Sequence, residues 1–86
     1  MYITRALDAY LKNPTSNNLL YKAVLSLEFK REENEAEVVT TLEQLKSIAL
    51  KNQFNNKDWA AKVKSASNYV YDQNLREFAR SNRKTR

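Results

Sequence analysis

At 86 residues the chain has the length of one domain, and a core that small is most economically built by packing helix on helix. It has no Cys, His or Gly. That rules out disulfides and thiolate metal sites, removes the commonest metal ligand and neutral-pH base, and leaves no glycine-rich phosphate cradle. Residues 1–56 hold seven Lys/Arg and seven Asp/Glu, so the formal net charge of +5 lies in residues 57–86, an asymmetry that points to an anionic partner, a membrane surface or a solvated end.

Taken in chain order, residues 2–12 read as a first helix. Ile3, Ala6, Leu7, Tyr10 and Leu11 fall at helical spacing, and Asp8 with Lys12 forms an acid-then-base pair four apart. The start has no basic region followed by an apolar run, so no signal peptide is expected. Pro14 ends this helix, because the residue before a proline avoids the α region. Thr15 or Ser16 then caps a second helix over residues 17–31. Its main stripe is Leu20, Ala23, Val24 and Leu27, and Leu19, Tyr21, Leu25 and Phe29 make it apolar on most sides. Such a helix is either buried from several directions or offers a face to a partner, and burial is the expectation.

Residues 30–37 form a charged connection, read as a solvated turn in which Asn34 and Glu37 make a capping box. The third helix, residues 35–52, has the cleanest division of faces. Val38, Leu42, Leu45 and Ala49 share a stripe, widened by Val39, Leu50 and Ile48, and Thr40, Glu43, Gln44, Ser47 and Lys51 lie opposite. This helix is therefore read as the central one. With no Gly, the ten Asn are expected at helix ends and turns.

Asn55 as N-cap, Asp58 at N3 and a Phe54–Trp59 staple open a fourth helix, residues 56–80. Trp59, Val63, Ala66 and Val70 continue the stripe, and Asp58–Lys62 and Asp72–Arg76 are further pairs four apart. After Val70 the apolar register moves to Tyr71, Leu75, Phe78 and Ala79. The helix is expected to bend near residues 71–74 or to restart there with Asp72 as cap. Residues 81–86 read as a disordered basic tail. The whole is an all-α chain, expected as an antiparallel up-down-up-down four-helix bundle with a basic C-terminal extension.

Nothing in this pattern carries chemistry. Ser and Thr have no His or Cys beside them, and no spacing singles out a Lys or carboxylate as base, so no enzyme, cofactor or metal is expected. Tyr2, Tyr10 and Tyr21 read as core-edge residues with wet hydroxyls. Tyr69 and Tyr71 flank Val70 and read as packing residues, as a nucleic-acid stacking surface beside Arg76 and Arg80, or as residues at a membrane interface. Phe78 either folds the terminal segment back or anchors a partner. The basic end is open to three uses: a solvated end, a nucleic-acid contact with salt-dependent affinity, or a contact with anionic lipid or a membrane protein. No helix-turn-helix signature supports the second.

Residues 20–27 (LYKAVLSL), the acidic turn, and residues 37–54 (EVVTTLEQLKSIALKNQF) resemble the immunity proteins of pediocin-like, class IIa bacteriocins, of the enterocin A immunity type. The most telling element is Leu42-x-x-Leu45-x-x-Ile48-Ala49-Leu50, followed by a short polar gap and a new helix. The resemblance spans about residues 5–71 and is one of helix lengths and apolar positions. It implies a four-helix antiparallel bundle in the cytoplasm, without enzymatic activity or cofactor; peripheral contact with the inner face of the membrane is the alternative placement. It implies self-protection of a producer by recognition of a mannose-type sugar permease with bacteriocin bound, and blockage of the pore. Specificity in that family lies in the C-terminal half, which nominates Arg76, Phe78, Arg80, Arg83, Lys84 and Arg86 here. This chain's end is more basic and less apolar than the resemblance leads one to expect. The alternative reading is a small basic nucleic-acid-binding or regulatory bundle.

Overall fold

The computed structural model describes residues 1–84, with side chains through Arg76. The described residues form four helices and no strand: α1 (Arg5–Lys12), α2 (Asn17–Lys30), α3 (Glu35–Lys51) and α4 (Asn56–Lys84).

α1 begins three residues later than the apolar spacing predicts. The Thr4 hydroxyl accepts from the Leu7 N–H at 3.0 Å and caps the helix, while the Tyr2 N–H donates to Thr41 Oγ1 at 2.7 Å and draws the preceding chain out toward α3. Ile3 consequently stands in solvent, as does Leu11, and α1 buries only Leu7 and Tyr10. Lys12 and Asp8 meet at 3.2 Å, an exposed pair worth a few tenths of a kcal/mol at most, ~0.3–0.5. Asn13 turns its N–H back to the Tyr10 carbonyl at 2.9 Å, and Ser16 then caps α2 by accepting from Leu19 N–H.

α2 is the helix around which the others are arranged, where the sequence pattern had pointed to α3. It packs against α1, α3 and α4, and α3 and α4 share a smaller contact. The reason is its wide apolar surface. Leu20, Ala23, Val24 and Leu27 are buried, and Leu19, Tyr21 and Leu25 pack at the edge of the same core. A clean two-faced helix such as α3 needs only one neighbour, whereas a helix apolar on most sides must find several. The core is completed by Val38, Leu42, Leu45 and Ala49 from α3 and Trp59 and Ala66 from α4. Truncating one of its buried leucines to alanine costs about 2–5 kcal/mol.

Two polar relays lock the helices together. Leu7 N–H donates to Thr4 Oγ1, which lies 2.7 Å from Ser26 Oγ. Ser26 donates to the Ala23 carbonyl at 2.7 Å, so its one proton is used and Thr4 is the donor between the hydroxyls. Thr41 is fully buried, and its hydroxyl accepts from Tyr2 and donates to the Glu37 carbonyl at 2.7 Å. Tyr10, expected to keep a wet hydroxyl, is instead fully buried, and its hydroxyl has no partner among the described residues.

The helix ends correct two further expectations. Asn34 precedes α3 but its side chain makes no cap hydrogen bond, and its own N–H is bonded to the Lys30 carbonyl at 3.0 Å, so the reciprocal half of a capping box is taken as well. Between α3 and α4, Gln53 and not an Asn takes the left-handed conformation, with φ 80°. The Phe54 N–H reaches the Ala49 carbonyl at 3.2 Å, the six-to-one bond of a Schellman ending, while the Asn52 side chain donates to the Ile48 carbonyl. The predicted Asn55 cap forms here, and reciprocally: Asp58 N–H donates to Asn55 Oδ1 at 2.8 Å, and Asn55 N–H to Asp58 Oδ2 at 3.3 Å. That commits the Asp58 carboxylate, and Lys62 lies over the Phe54 ring at 4.9 Å instead of pairing with it. Phe54 and Trp59 both join the core cluster.

α4 is one continuous helix through residues 71–74, so the expected restart with Asp72 as cap does not occur. It contains neither Pro nor Gly, and a change in apolar register alone does not interrupt the backbone ladder. The helix continues to Lys84, so residues 81–84 of the expected disordered tail are helical, and Thr85 and Arg86 lie outside the described residues. At ~1.5 Å per residue, its 29 residues account for most of the 52 Å long axis of a molecule 22 and 19 Å across.

Candidate functional site

The length of α4 carries its far end beyond the packed core. Trp59 and Ala66 bury against α2 and α3, with Val63 packed at the edge and Val70 half-buried. The next positions at the same helical spacing are Gln73 and Asn74, polar residues with no core to enter. Among the described residues beyond Ala66, none is buried. The first half of α4, through Val70, is thus a bundle helix, and the rest is a projection from it.

That projection is not uniformly polar. Tyr71 is 64% exposed and Leu75 49% exposed, four residues apart on one line of the helix. The register shift read from the sequence therefore marks where the apolar stripe turns away from the core. Arg76 follows in solvent. Phe78, Arg80, Arg83 and Lys84 occupy α4 backbone positions whose side chains lie outside the described residues, and Arg86 lies outside them altogether. No ion pair joins Arg76 to Asp72; among the described residues the ion pairs are Lys12–Asp8 and Arg31–Glu28.

At the foot of the projection the C-terminal end of α2 comes alongside. Phe29, itself partly exposed, meets Tyr69 edge-on with ring centroids 6.1 Å apart. Beside them is an open cleft of about 460 Å³ whose walls include Phe29, Val70, Tyr71, Arg31, Glu32 and Glu35. Glu28 is also at this cleft. Its carboxylate is nearly buried and accepts from Arg31 Nη1 at 3.1 and 3.3 Å, so its charge is compensated locally and is not free to act. The Phe29–Tyr69 contact and the cleft were not legible in the sequence. Phe29 sits off the main stripe of α2, and only the crossing of α2 and α4 shows what it meets.

Among the described residues no cluster of three or more His, Cys, Asp or Glu is arranged to hold a metal ion. Burial raises the Tyr10 hydroxyl above its ordinary value of 10.0, which makes it a poorer source of phenolate, and it sits in the core. No helix of the described residues is long and apolar enough to cross a membrane.

No family model matches the chain, and comparison with curated proteins and with solved structures finds no match either.

Proposed function

We propose that this chain is a non-catalytic docking protein of the bacteriocin-immunity kind: an antiparallel up-down-up-down bundle that protects a producing cell from a pediocin-like bacteriocin. In this reading it acts from the cytoplasm, recognises a mannose-type sugar permease with bacteriocin bound, and blocks the pore. The observation that carries the reading is the projecting half of α4, where Tyr71 and Leu75 stand in solvent beside Arg76. A protein whose work is docking needs such a surface, with apolar anchors ringed by charge. The short connections, with residues 13–16, 31–34 and 52–55 lying between successive helices, favour neighbouring helices that run antiparallel. The helix lengths and apolar positions of residues 5–71 supply the family resemblance.

Expression in a bacteriocin-sensitive strain, followed by survival against a panel of pediocin-like peptides, tests the proposal. Protection against at least one peptide is expected, lost on Tyr71→Ser/Leu75→Ser although the variant accumulates to the same level. Absence of protection against every peptide refutes it.

A further inference from the structure

The exposed residues at the start of the projection form a face that is complementary to itself. At about 100° per residue, Tyr71, Leu75, Asp72 and Arg76 cover an arc of about 140°, centred opposite the stripe of Trp59, Val63, Ala66 and Val70. All four stand in solvent. The arc has two flanks, Tyr71 with Leu75 and Asp72 with Arg76. Asp72 and Arg76 have the spacing of a helical ion pair, yet among the described residues the ion pairs are elsewhere. One Asp and one Arg leave the face without net charge, so it favours neither a polyanion nor a polycation. Charge complementarity selects a second copy of the same face, turned end for end.

We infer that two copies of the chain pair through this face, their α4 helices antiparallel about a two-fold axis between Gln73 and Asn74. Such an axis brings like flank to like flank, and every contact occurs twice. Tyr71 then stands level with Leu75 of the second copy, and Asp72 level with Arg76 of the second copy, each to within one residue rise of ~1.5 Å. A parallel pair would instead set the apolar flank against the charged one and gain neither contact. The fold leaves room for the pairing. The core lies on the opposite side of α4, so the two bundles sit outside the helix pair. Toward the bundle the same face continues through Ala61, Ser65 and Asn68, which are exposed and small, so the helix of the second copy can lie along it. The two large apolar side chains described on this face supply less than the ~800 Å² per partner of a standard interface. The dimer is therefore weak, with a dissociation constant on the order of 0.1 mM. It goes beyond the immunity reading and does not rest on it, being a property of the purified chain alone.

Sedimentation velocity of the full chain, over a concentration series reaching about ten times that constant, tests the pairing. The weight-average sedimentation coefficient should rise from the monomer value toward that of a dimer. Leu75→Ser should raise the dissociation constant at least about tenfold. Asp72→Arg and Arg76→Asp each place like charges opposite one another at two sites, and each should raise it about tenfold. The double exchange Asp72→Arg/Arg76→Asp should bring it back to within about twofold of the parent. Leu50→Ser, at an exposed leucine of α3, should leave it unchanged, and far-UV circular dichroism of every variant should match the parent. A chain that stays monomeric throughout the series overturns the proposal. A dimer indifferent to Leu75→Ser, or equally weakened by Leu50→Ser, lies on another face and overturns it too. A double exchange no better than the single ones excludes the antiparallel register.

Discussion

Thr4 is where α1 is fastened to the rest of the molecule, and replacing it tests whether the hydroxyl relay is what does the fastening. In Thr4→Val the side chain keeps its shape and loses its oxygen. The Leu7 N–H, which donates at 3.0 Å, loses the cap acceptor, and a lost Ser or Thr cap costs about 0.5–2 kcal/mol. The Thr4–Ser26 hydrogen bond at 2.7 Å goes as well, worth about 1 kcal/mol net. Ser26 keeps its bond to the Ala23 carbonyl, so no buried donor is stranded on α2, and the two losses share one atom and are less than additive. The expected destabilisation is roughly 2 kcal/mol. A melting temperature lowered by about 10 °C should accompany it, at ~4–8 °C per kcal/mol for a domain of this size. Urea unfolding followed by fluorescence of Trp59, which sits in the core, measures it, with Thr4→Ser as the control that preserves both hydrogen bonds. If Thr4→Val loses less than ~0.5 kcal/mol, or if Thr4→Ser is as unstable as Thr4→Val, the relay is not what holds α1.

Three more outcomes follow from the same structure. Tyr10→Phe removes a buried hydroxyl with no partner among the described residues and should leave stability unchanged or raise it by up to ~1 kcal/mol. Because burial raises the folded pKa of Tyr10 above 10.0, the unfolded chain ionises first. Stability that is intact below about pH 10 should fall as pH climbs past it, and the Phe variant should lose that part of the slope in urea titrations across the range. Gln53→Gly relieves a side chain at φ 80°. Removing an αL penalty of ~1–2 kcal/mol at an unfolded-state entropy cost of ~0.5–1 should raise the urea midpoint by the equivalent of roughly 0.5–1 kcal/mol, and a lowered midpoint would contradict the assigned helix ending. Thr41→Val leaves the Tyr2 N–H without its acceptor and should cost about 1–3 kcal/mol, seen together with faster amide exchange at Tyr2.

Much of the helical layout was open to reading in one dimension because its causes are local. Pro14 stops α1, Asn55 and Asp58 cap α4 through a four-residue exchange, and the 4-3-4 spacing of Val38, Leu42, Leu45 and Ala49 needs nothing beyond the helical period to form a stripe. The failures have a common origin. Asn34 and Glu37 have the spacing of a capping box, but whether the Asn34 N–H is free depends on how α2 ends, and it ends by consuming that N–H. Asp58 and Lys62 are four apart, but the carboxylate went to the cap and the ammonium to the Phe54 ring. Each group had two local partners in reach, and spacing does not rank them.

The candidate site divides in the same way. Arg76, Phe78, Arg80, Arg83, Lys84 and Arg86 were nominated from charge and family pattern, and of these the described side chains include Arg76 alone, in solvent. The register change after Val70 was visible in sequence, but its meaning was not. A shifted stripe is equally compatible with a bend that keeps it buried and with a straight helix that carries it out. Only the reach of α4 past the end of α2 decides between them, and it leaves Tyr71 and Leu75 exposed. The sequence by itself determined the helical class, three of the four helix starts and the placement of excess positive charge, because backbone preference, capping and composition act over a few residues. The tertiary structure alone decided that α2 and not α3 is the hub, that Tyr10 is sealed in, and that the far half of α4 stands free. These depend on which surfaces compete for the same neighbours, and burial is a property of the packed set and not of any one stretch.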